Sequence, residues 1–252
     1  MGGAAERWAE LQEGRAVPPE ILAQAPVSPW VHDPQDFTAP DVPSDTPSRD
    51  AGLALLGDAG SVLDVGYGGG DAAFALVGPV TEVTGADQQQ DMLDLFAAGA
   101  RAREIPFRTV LGRWPDVAPD AGSADVVTCH HVLHNVVDLP PFVAALTAAA
   151  RRGVVVEMMT EHPMAWLDPL WVRFHDLHRP PSATTEDAAA VLRELGVEPE
   201  VTRWERVRRP PHDPAWVARR LCLPDARAEE VEAALAEVPP RTRTAATLVW
   251  RP

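Results

Sequence analysis

Residues 61–71 read SVLDVGYGGGD, an apolar run that passes directly into a glycine-rich turn. A short run of this kind predicts a buried strand. Glycine at positions 66, 68 and 70 lets the backbone approach a bound group where a side chain would collide. The first turn of a following helix would present unpaired N–H groups to a polar or anionic group. The stretch therefore predicts a cofactor site.

Two cofactor patterns compete for this turn. The dinucleotide fingerprint places glycine at the first, third and sixth positions, but the sixth position counted from Gly66 is Asp71, which does not suit close helix–strand packing. The other pattern has an acid two positions before the first glycine and a glycine at every second position. Asp64, Gly66, Gly68 and Gly70 match it completely. The turn thus resembles motif I of the class I S-adenosylmethionine-dependent methyltransferases.

A second motif supports this resemblance. Residues 82–87, EVTGAD, predict the next strand, which ends in Asp87 at 21 residues beyond Gly66. That distance is near the ~20-residue spacing at which an acid meets a ribose hydroxyl. The resemblance implies that Asp87 binds both ribose hydroxyls and that Gln88 lines the adenine.

The residues after the third predicted strand depart from the family pattern. The resemblance places Arg113 and Trp114 beside the adenine, but many family members have an aspartate at the position of Arg113, where it binds the adenine amino group. A backbone contact at Trp114, or stacking on its ring, would compensate for the missing acid.

The fourth predicted strand ends in residues 129–135, CHHVLHN. The resemblance places His130 against the methionine end of the cofactor, mostly through its backbone. His131 and His134 are three positions apart and would share one side of a helical turn. Either could accept a proton from the acceptor, or both could be structural. Glu157, at the end of strand five, is a candidate base or a buried hydrogen-bond acceptor.

A metal site is a weaker interpretation of the same residues. His130, His131, His134, Glu157 and His162 include enough ligand types for a metal, and His175 and His178 add a spaced pair. No sequence signature selects a particular trio. We therefore predict no functional metal.

Strands and helices alternate from Ser48 onward. The predicted strands lie near 61–65, 82–86, 107–111, 125–129, 153–158, 201–207 and 245–250. The predicted helices lie near 49–56, 71–77, 90–102, 139–151, 186–195 and 226–238. This alternation predicts an α/β fold with a doubly wound, mostly parallel sheet and helices on both faces. The resemblance implies seven strands in a Rossmann-like arrangement, with the last strand antiparallel.

Two segments stand outside this alternation. Residues 1–47, with recurring prolines and a short helix near 6–13, are interpreted as an N-terminal arm that is either a lid or a tail packed on the core. Residues 48–252 would form the cofactor-binding domain. Within it, 159–183 is an insertion on the substrate side, and its predicted amphipathic helix either roofs the acceptor pocket or packs on the core.

Composition restricts the function. The net charge of −15, with no basic stripe, disfavours nucleic acid and anionic membranes as partners. All 22 basic residues are arginine, which excludes lysine-dependent Schiff-base, pyridoxal phosphate and P-loop chemistry. Two cysteines, no secretory signal and no bilayer-length apolar run predict a cytoplasmic protein. Nothing in the sequence indicates the oligomeric state.

These observations predict an enzyme that transfers a methyl group from S-adenosylmethionine to a small-molecule acceptor whose nucleophilic atom (O, N or C) is undetermined. One alternative is a protein that binds S-adenosylmethionine for a non-methylating or regulatory purpose. A second is an NAD(P)-dependent oxidoreductase, which Asp71 disfavours. A scaffold that has lost its ligand is a third.

Overall fold

The computed structural model describes residues 2–29, 37–66, 68–206, 213–238 and 243–252. Statements about the structure refer to these residues. Trp30 and Val31 of the predicted arm, and Val207 at the end of the predicted sixth strand, lie outside them. None of the described helices is both long enough and apolar enough to cross a membrane.

The elements follow one another in mostly alternating order. The strands are β1 Gly60–Val65, β2 Val80–Asp87, β3 Phe107–Leu111, β4 Ala124–His130, β5 Ala150–Met159, β6 Glu200–Glu205 and β7 Thr244–Trp250. The helices are α1 Ala4–Glu13, α2 Pro19–Leu22, α3 Pro47–Leu56, α4 Asp71–Phe74, α5 Gln90–Ala102, α6 Ala118–Ala121, α7 Leu139–Ala149, α8 Asp168–His175, α9 Thr185–Glu194, α10 Pro214–Arg220 and α11 Ala228–Leu235.

The described strands form one seven-stranded sheet in the order β3-β2-β1-β4-β5-β7-β6. The pairs from β3 to β5 are parallel, whereas β7 runs antiparallel to both of its neighbours. This confirms the predicted doubly wound sheet with an antiparallel last strand. The strand order reverses between β1 and β4, and ligands of such sheets bind at the carboxyl ends of the strands beside that reversal.

Local capping signals explain several helix boundaries. Thr184 caps α9: its side chain accepts from Asp187 N while Asp187 accepts from the backbone N–H of Thr184. Ser48 is a favourable N-cap residue for the helix predicted over 49–56, but it does not cap this helix. Thr46 caps it, accepting from Arg49 N at 3.1 Å, while Ser48 is buried and bonds to Thr247 at 2.7 Å.

Some predicted bounds were wrong for identifiable reasons. The helix predicted over 71–77 ends at Phe74, where the chain turns into β2. Strand β5 begins at Ala150, directly where α7 ends, rather than at residue 153. Helix α10 was missed, although Asp213 followed by Pro214 is a start signal: Asp213 accepts from Ala215 N at 3.2 Å.

A helical cap covers the carboxyl edge of the sheet. We use this term for Val17, α2, α8, α10 and α11, whose apolar side chains form a separate core cluster. Helix α8 follows the carboxyl end of β5, and α10 and α11 lie between the end of β6 and the start of β7. Strand β6 runs parallel to β5, and β7 runs antiparallel to both. The carboxyl ends of β5 and β6 and the start of β7 therefore lie at the same edge of the sheet, so α8, α10 and α11 all connect at the edge where ligands bind.

The first helix belongs to the main core. Trp8 of α1 is fully buried, lies in the cluster that includes the sheet interior, and donates from Nε1 to Val136 O at 2.8 Å. Gln12 also donates to Leu133 O at 3.2 Å. Helix α1 therefore anchors the N-terminal segment directly beside the chain that follows β4.

We expect Trp8→Ala to lower the free energy of unfolding by about 3–5 kcal/mol, because it removes a fully buried indole and leaves a cavity. Urea denaturation measures this. Arg7→Ala is the control: its side chain is 69% exposed, and its ion pair with Asp187 should be worth less than about 1 kcal/mol. Equal, small losses in both variants would show that α1 is not part of the folded core.

Candidate functional site

The glycine-rich turn has a left-handed backbone at three of its glycines. Gly66, Gly68 and Gly70 have φ values of 67°, 52° and 85°, in the left-handed region that favours glycine. Gly66 N donates to Ala86 O at 2.9 Å, which holds the start of the turn against β2. The turn ends at Gly70, where α4 begins.

The protein itself crowds this turn. A side chain at Gly66 would collide with Val132 in the segment after β4, and one at Gly69 would collide with the carbonyl of Phe37. Thr38 forms a parallel bridge with Gly69. Thus the N-terminal segment around Phe37 lies along the outside of the turn, and the glycines are required by this packing as well as suited to a ligand.

Asp64 lies beneath the turn. Its side chain is completely buried; Oδ1 accepts from Thr128 Oγ1 at 2.8 Å, and Oδ2 accepts from Ala73 N at 3.2 Å. Burial raises the pKa of Asp64 from 3.8 to about 7, although these two hydrogen bonds oppose the shift. The carboxylate therefore links β1, β4 and α4, and these bonds hold the start of α4, which follows the turn, against the sheet.

Asp87 lies at the end of β2, beside the turn. Its carboxylate accepts from Gln89 N at 3.0 Å. Burial raises its pKa, and backbone N–H groups of Gln89, Gly68 and Gln88 oppose this rise. The side chain is half-buried. Asp87 thus faces the glycine-rich turn and keeps part of its surface open.

The three residues proposed around the adenine differ in environment. Gln88 and Arg113 are exposed. Trp114 is 7% exposed, belongs to the main core, and donates from Nε1 to Phe142 O at 3.2 Å. Because the indole is held in the core, the structure favours the backbone of Trp114, rather than its ring, as the group able to reach a ligand.

A charged cluster lies at the ends of β4 and β5. Glu157 Oε1 is 2.9 Å from His131 Nε2 and 3.0 Å from Arg206 Nη1, and Oε2 is 3.9 Å from His130 Nδ1. Arg206 also contacts His131 Nε2. His131 has a φ of 61°, which is uncommon for a residue other than glycine, and its N–H donates to Glu157 O at 2.7 Å.

The charges around Glu157 determine its protonation. Burial alone would raise its pKa, but the hydrogen bond from His131 and the charges of His130, His131 and Arg206 hold the pKa well below its usual range. Burial lowers the pKa of His130, despite the opposing charge of Glu157. Near neutral pH, the cluster therefore contains the ionised carboxylate of Glu157 and the neutral imidazole of His130.

His134 belongs to a second, more buried group. Its Nε2 lies 3.0 Å from Met159 O, and its ring meets the edge of His162 at 5.4 Å between centroids. Burial lowers the pKa of His134 to about 4 and that of His162 to about 3, with further lowering by the charge of Arg15. Both rings are neutral at pH 7.

The described residues contain no group of three histidine, cysteine, aspartate or glutamate side chains arranged to hold a metal ion. His131 and His134 were predicted to share one side of a helical turn, but they contact different groups. His131 bonds to Glu157, and His134 bonds to the end of β5. Arg206 was not predicted at this position. No local signal could place it, because it reaches Glu157 from the other side of β7 in the sheet order.

Comparison with known proteins identifies the domain. The profile of a family described as a methyltransferase domain matches residues 62–153, which span the glycine-rich turn, Asp87 and β4. Residues 62–153 therefore carry a methyltransferase domain. No curated protein sequence matches the chain.

Solved structures share the fold of this methyltransferase at low sequence identity. A putative methyltransferase from Bacillus halodurans is 18% identical, with a TM-score of 0.56 over 79% of this chain and 97% of that one. Magnesium protoporphyrin IX methyltransferase from Synechocystis, solved with bound S-adenosylhomocysteine, is 13% identical, with a TM-score of 0.52 over 81% and 83%. The cyclase SpnF is 15% identical, with a TM-score of 0.52 over 81% and 79%.

The side chains present fit an adenosyl cofactor. The methyltransferase has a left-handed glycine backbone at the end of β1 and a half-buried carboxylate at the end of β2. Both lie at the carboxyl edge beside the order reversal, which is where such groups bind. Asp64, by contrast, is buried beneath the turn, so its contribution to binding would pass through the loop that it supports.

The pKa of Asp64 gives a stability prediction for the methyltransferase. Since its folded pKa of about 7 is above the ordinary 3.8, the protonated form stabilises the fold, and this contribution is lost as pH rises from about 4 to about 7. We expect Asp64→Asn, which stays neutral, to gain stability relative to the parent protein over this range, by up to about 4 kcal/mol.

Urea denaturation at several pH values measures this difference. Asp58→Asn is the control, because Asp58 is exposed, and its stability difference should stay flat with pH. A flat difference for Asp64→Asn as well would mean that the buried carboxyl does not gain a proton on folding.

Proposed function

We propose that this methyltransferase transfers a methyl group from S-adenosylmethionine to a small-molecule acceptor bound between the carboxyl edge of the sheet and the helical cap. The observation that carries the proposal is the convergence at this edge of the Gly66–Gly70 turn, Asp87 and the Glu157 cluster. The net charge of −15 argues against a nucleic-acid acceptor. Two buried, unpaired cysteines agree with a reducing, cytoplasmic location.

Each cofactor-binding residue has a proposed part. Asp64, expected from the resemblance to hold the methionine and ribose end with the glycines, would act there by holding the turn in place through its hydrogen bonds. Asp87 would accept hydrogen bonds from the ribose hydroxyls, and the backbone of Gly66, Gly68 and Gly70 would lie against the methionine and ribose end. Gln88, Arg113 and the backbone of Trp114 would border the adenine, and His130 the methionine end. When bound, S-adenosylmethionine supplies an electrophilic methyl group attached to a sulfonium.

The chain contributes alignment and exclusion of water. Holding the acceptor atom in line with the methyl group can supply several kcal/mol of the acceleration. The helical cap would close over this arrangement, because α8, α10 and α11 connect to the strands at the carboxyl edge. Excluding water strengthens the fixed electrostatic interactions within the site and suppresses hydrolysis.

We assign proton acceptance to His131, with Glu157 and Arg206 as its positioning partners. His131 is about one-third exposed, whereas Glu157 is buried, so His131 is the member of the pair that an acceptor can reach. Glu157 would orient the imidazole, as a carboxylate does beside a catalytic histidine. His134, buried with a pKa of about 4, is better suited to the pocket wall than to accepting a proton at neutral pH.

We expect Asp87→Ala to weaken binding of S-adenosylhomocysteine at least about 10-fold, because two charge-assisted hydrogen bonds to the ribose are lost. Isothermal titration measures the affinity, and thermal unfolding checks that the fold is intact. Asp91→Ala, an exposed acid in the first turn of α5, is the matched control. Unchanged affinity in Asp87→Ala, or no binding by the parent protein, would contradict the proposed cofactor site.

Mass analysis of products then tests the reaction itself. The protein is incubated with methyl-labelled S-adenosylmethionine and a metabolite extract, and label should appear in a small molecule. Binding without transfer to any component would favour a non-methylating use of the cofactor. The cyclase SpnF has a similar fold, and its name describes a reaction other than methyl transfer.

We expect His131→Asn to lower the rate of methyl transfer to a protonated acceptor by about 10²–10⁴-fold while leaving the S-adenosylhomocysteine affinity unchanged. Asparagine tolerates the left-handed backbone at this position. The loss should shrink as pH rises and the acceptor ionises by itself. His178→Asn, at an exposed histidine, should behave as the parent protein. Equal single-turnover rates for His131→Asn and the parent would assign the proton transfer elsewhere.

A further inference from the structure

Several buried polar side-chain atoms of this methyltransferase have no hydrogen-bond partner. Within the described residues, five buried side-chain atoms lack a hydrogen-bond partner: Arg15 Nε, His130 Nε2, His134 Nδ1, Arg179 Nε and Thr185 Oγ1. Buried polar groups in native proteins are normally satisfied, so each such atom calls for an explanation.

Contacts connect these atoms from the strand ends to the cap. His134 meets the His162 ring, and His162 N donates to Ser182 Oγ at 3.0 Å. Three residues later, Thr185 N donates to Thr160 O at 3.3 Å, just beyond β5. The segment over 182–185 therefore runs beside the segment that leaves β5.

Arg15 and Arg179 lie on the cap side of this region. The side chains of Arg15 and Arg179 are 4% and 8% exposed. Both approach Asp168, at 2.8 Å and 3.9 Å, respectively. Since two guanidinium groups share one carboxylate, one positive charge is left uncompensated. Burial and the charge of Arg15 lower the pKa of Arg179 to about 10, which reflects this excess.

The two guanidinium groups are held in place by their other nitrogens. Arg15 Nη1 donates to Pro180 O, and Arg179 Nη2 donates to Arg15 O. Arg15 Nη2 bonds both oxygens of Asp168, at 2.8 and 3.0 Å. These bonds fix both side chains while leaving each Nε–H unused. Each of these buried, unpaired N–H groups would gain from a hydrogen bond with an anion that enters beside it, and the excess positive charge favours an anion there.

We propose that Arg15 and Arg179 bind a carboxylate group of the methyl acceptor, with His134 and Thr185 as additional polar contacts. The inference rests on the proposed methyl transfer and specifies its substrate class as a small organic acid. A single negative charge matches the single uncompensated positive charge, whereas a phosphate monoester would exceed it. The acid would lie beside His162 and His134, with its remaining part directed toward His131 and the strand ends.

The ring of Trp171 completes this subsite. It lies under Arg179, with the guanidinium carbon 5.5 Å from the ring centroid, and it is buried in the cap cluster. A cation stacked on an aromatic face keeps its in-plane N–H groups free for an anion.

Nuclear magnetic resonance of the arginine Nε–H groups tests the proposal on the full chain. The protein, with and without S-adenosylhomocysteine, is titrated with acetate, with isosteric acetamide, with inorganic phosphate, and with sodium chloride at equal ionic strength. We expect acetate to shift the Arg15 and Arg179 resonances saturably, at least about 10-fold more tightly than acetamide, since a charge-assisted hydrogen bond is stronger than a neutral one. Phosphate should bind more weakly than acetate.

Arg179→Met removes the excess charge and keeps the apolar stem. We expect it to abolish the preference for acetate over acetamide while preserving the melting temperature and the affinity for S-adenosylhomocysteine. Arg173→Met is the matched control: Arg173 lies on α8, is 45% exposed and pairs with Glu237. This variant should retain the preference.

The inference is overturned if acetate leaves both resonances unmoved, if phosphate binds more tightly than acetate, or if Arg179→Met keeps the acetate preference. A lower melting temperature in Arg179→Met together with no acetate preference in the parent protein would assign both arginines a purely structural role. S-adenosylhomocysteine binding is measured separately. Loss of carboxylate binding alone therefore leaves the proposed methyl transfer standing, while absence of cofactor binding counts against that function and not against the anion site.

Discussion

The hydrogen bonds of one buried carboxylate, that of Asp64, unite the elements on which the cofactor edge is built. Asp64 is at the end of β1, its partner Thr128 is in β4, and Ala73 N belongs to α4. The strand order reverses between β1 and β4, so this contact spans the crevice where the sheet opens. The glycine-rich turn leaves β1 directly above it. Burial of the Asp64 carboxyl destabilises its charged form. The stability that this residue contributes to the fold therefore depends on pH.

Two charged groups, one at the ends of β4 and β5 and one in the cap, have opposite arrangements of charge. Near the strand ends, the central group is the carboxylate of Glu157. The hydrogen bond from His131 and the positive charge of Arg206 keep this carboxylate ionised. In the cap, Asp168 is shared by Arg15 and Arg179, and the balance is positive. An acid held by the arginines would present its far end toward the imidazole of His131. Substrate orientation and proton acceptance would then follow from charge placement on rigid elements.

Much of the fold and part of the site could be predicted because the signals are local. The alternation of β-branched runs with helix starts located all seven strands to within a few residues. The spacing of the glycines identified the turn at Gly66, Gly68 and Gly70, and the structure shows its left-handed backbone. Asp87 could be placed beside the turn because parallel neighbouring strands end at the same edge. Trp114 was located at the correct edge, but its ring packs inward against Phe142, and the sequence does not reveal which way an aromatic residue at a strand end will point.

The sequence by itself determined the type of sheet, the glycine-rich turn and the acids at the ends of β1 and β2, since each depends on residues within a few positions or on one strand-to-strand spacing. Only the tertiary structure decided that Asp64 lies beneath the turn, that Arg206 meets Glu157, and that Arg15 shares Asp168 with Arg179. These contacts join residues that are 49 and 153 positions apart in the last two cases. Their charges favour pairing, but which partners meet is determined by how the sheet order and the cap fold the chain back on itself.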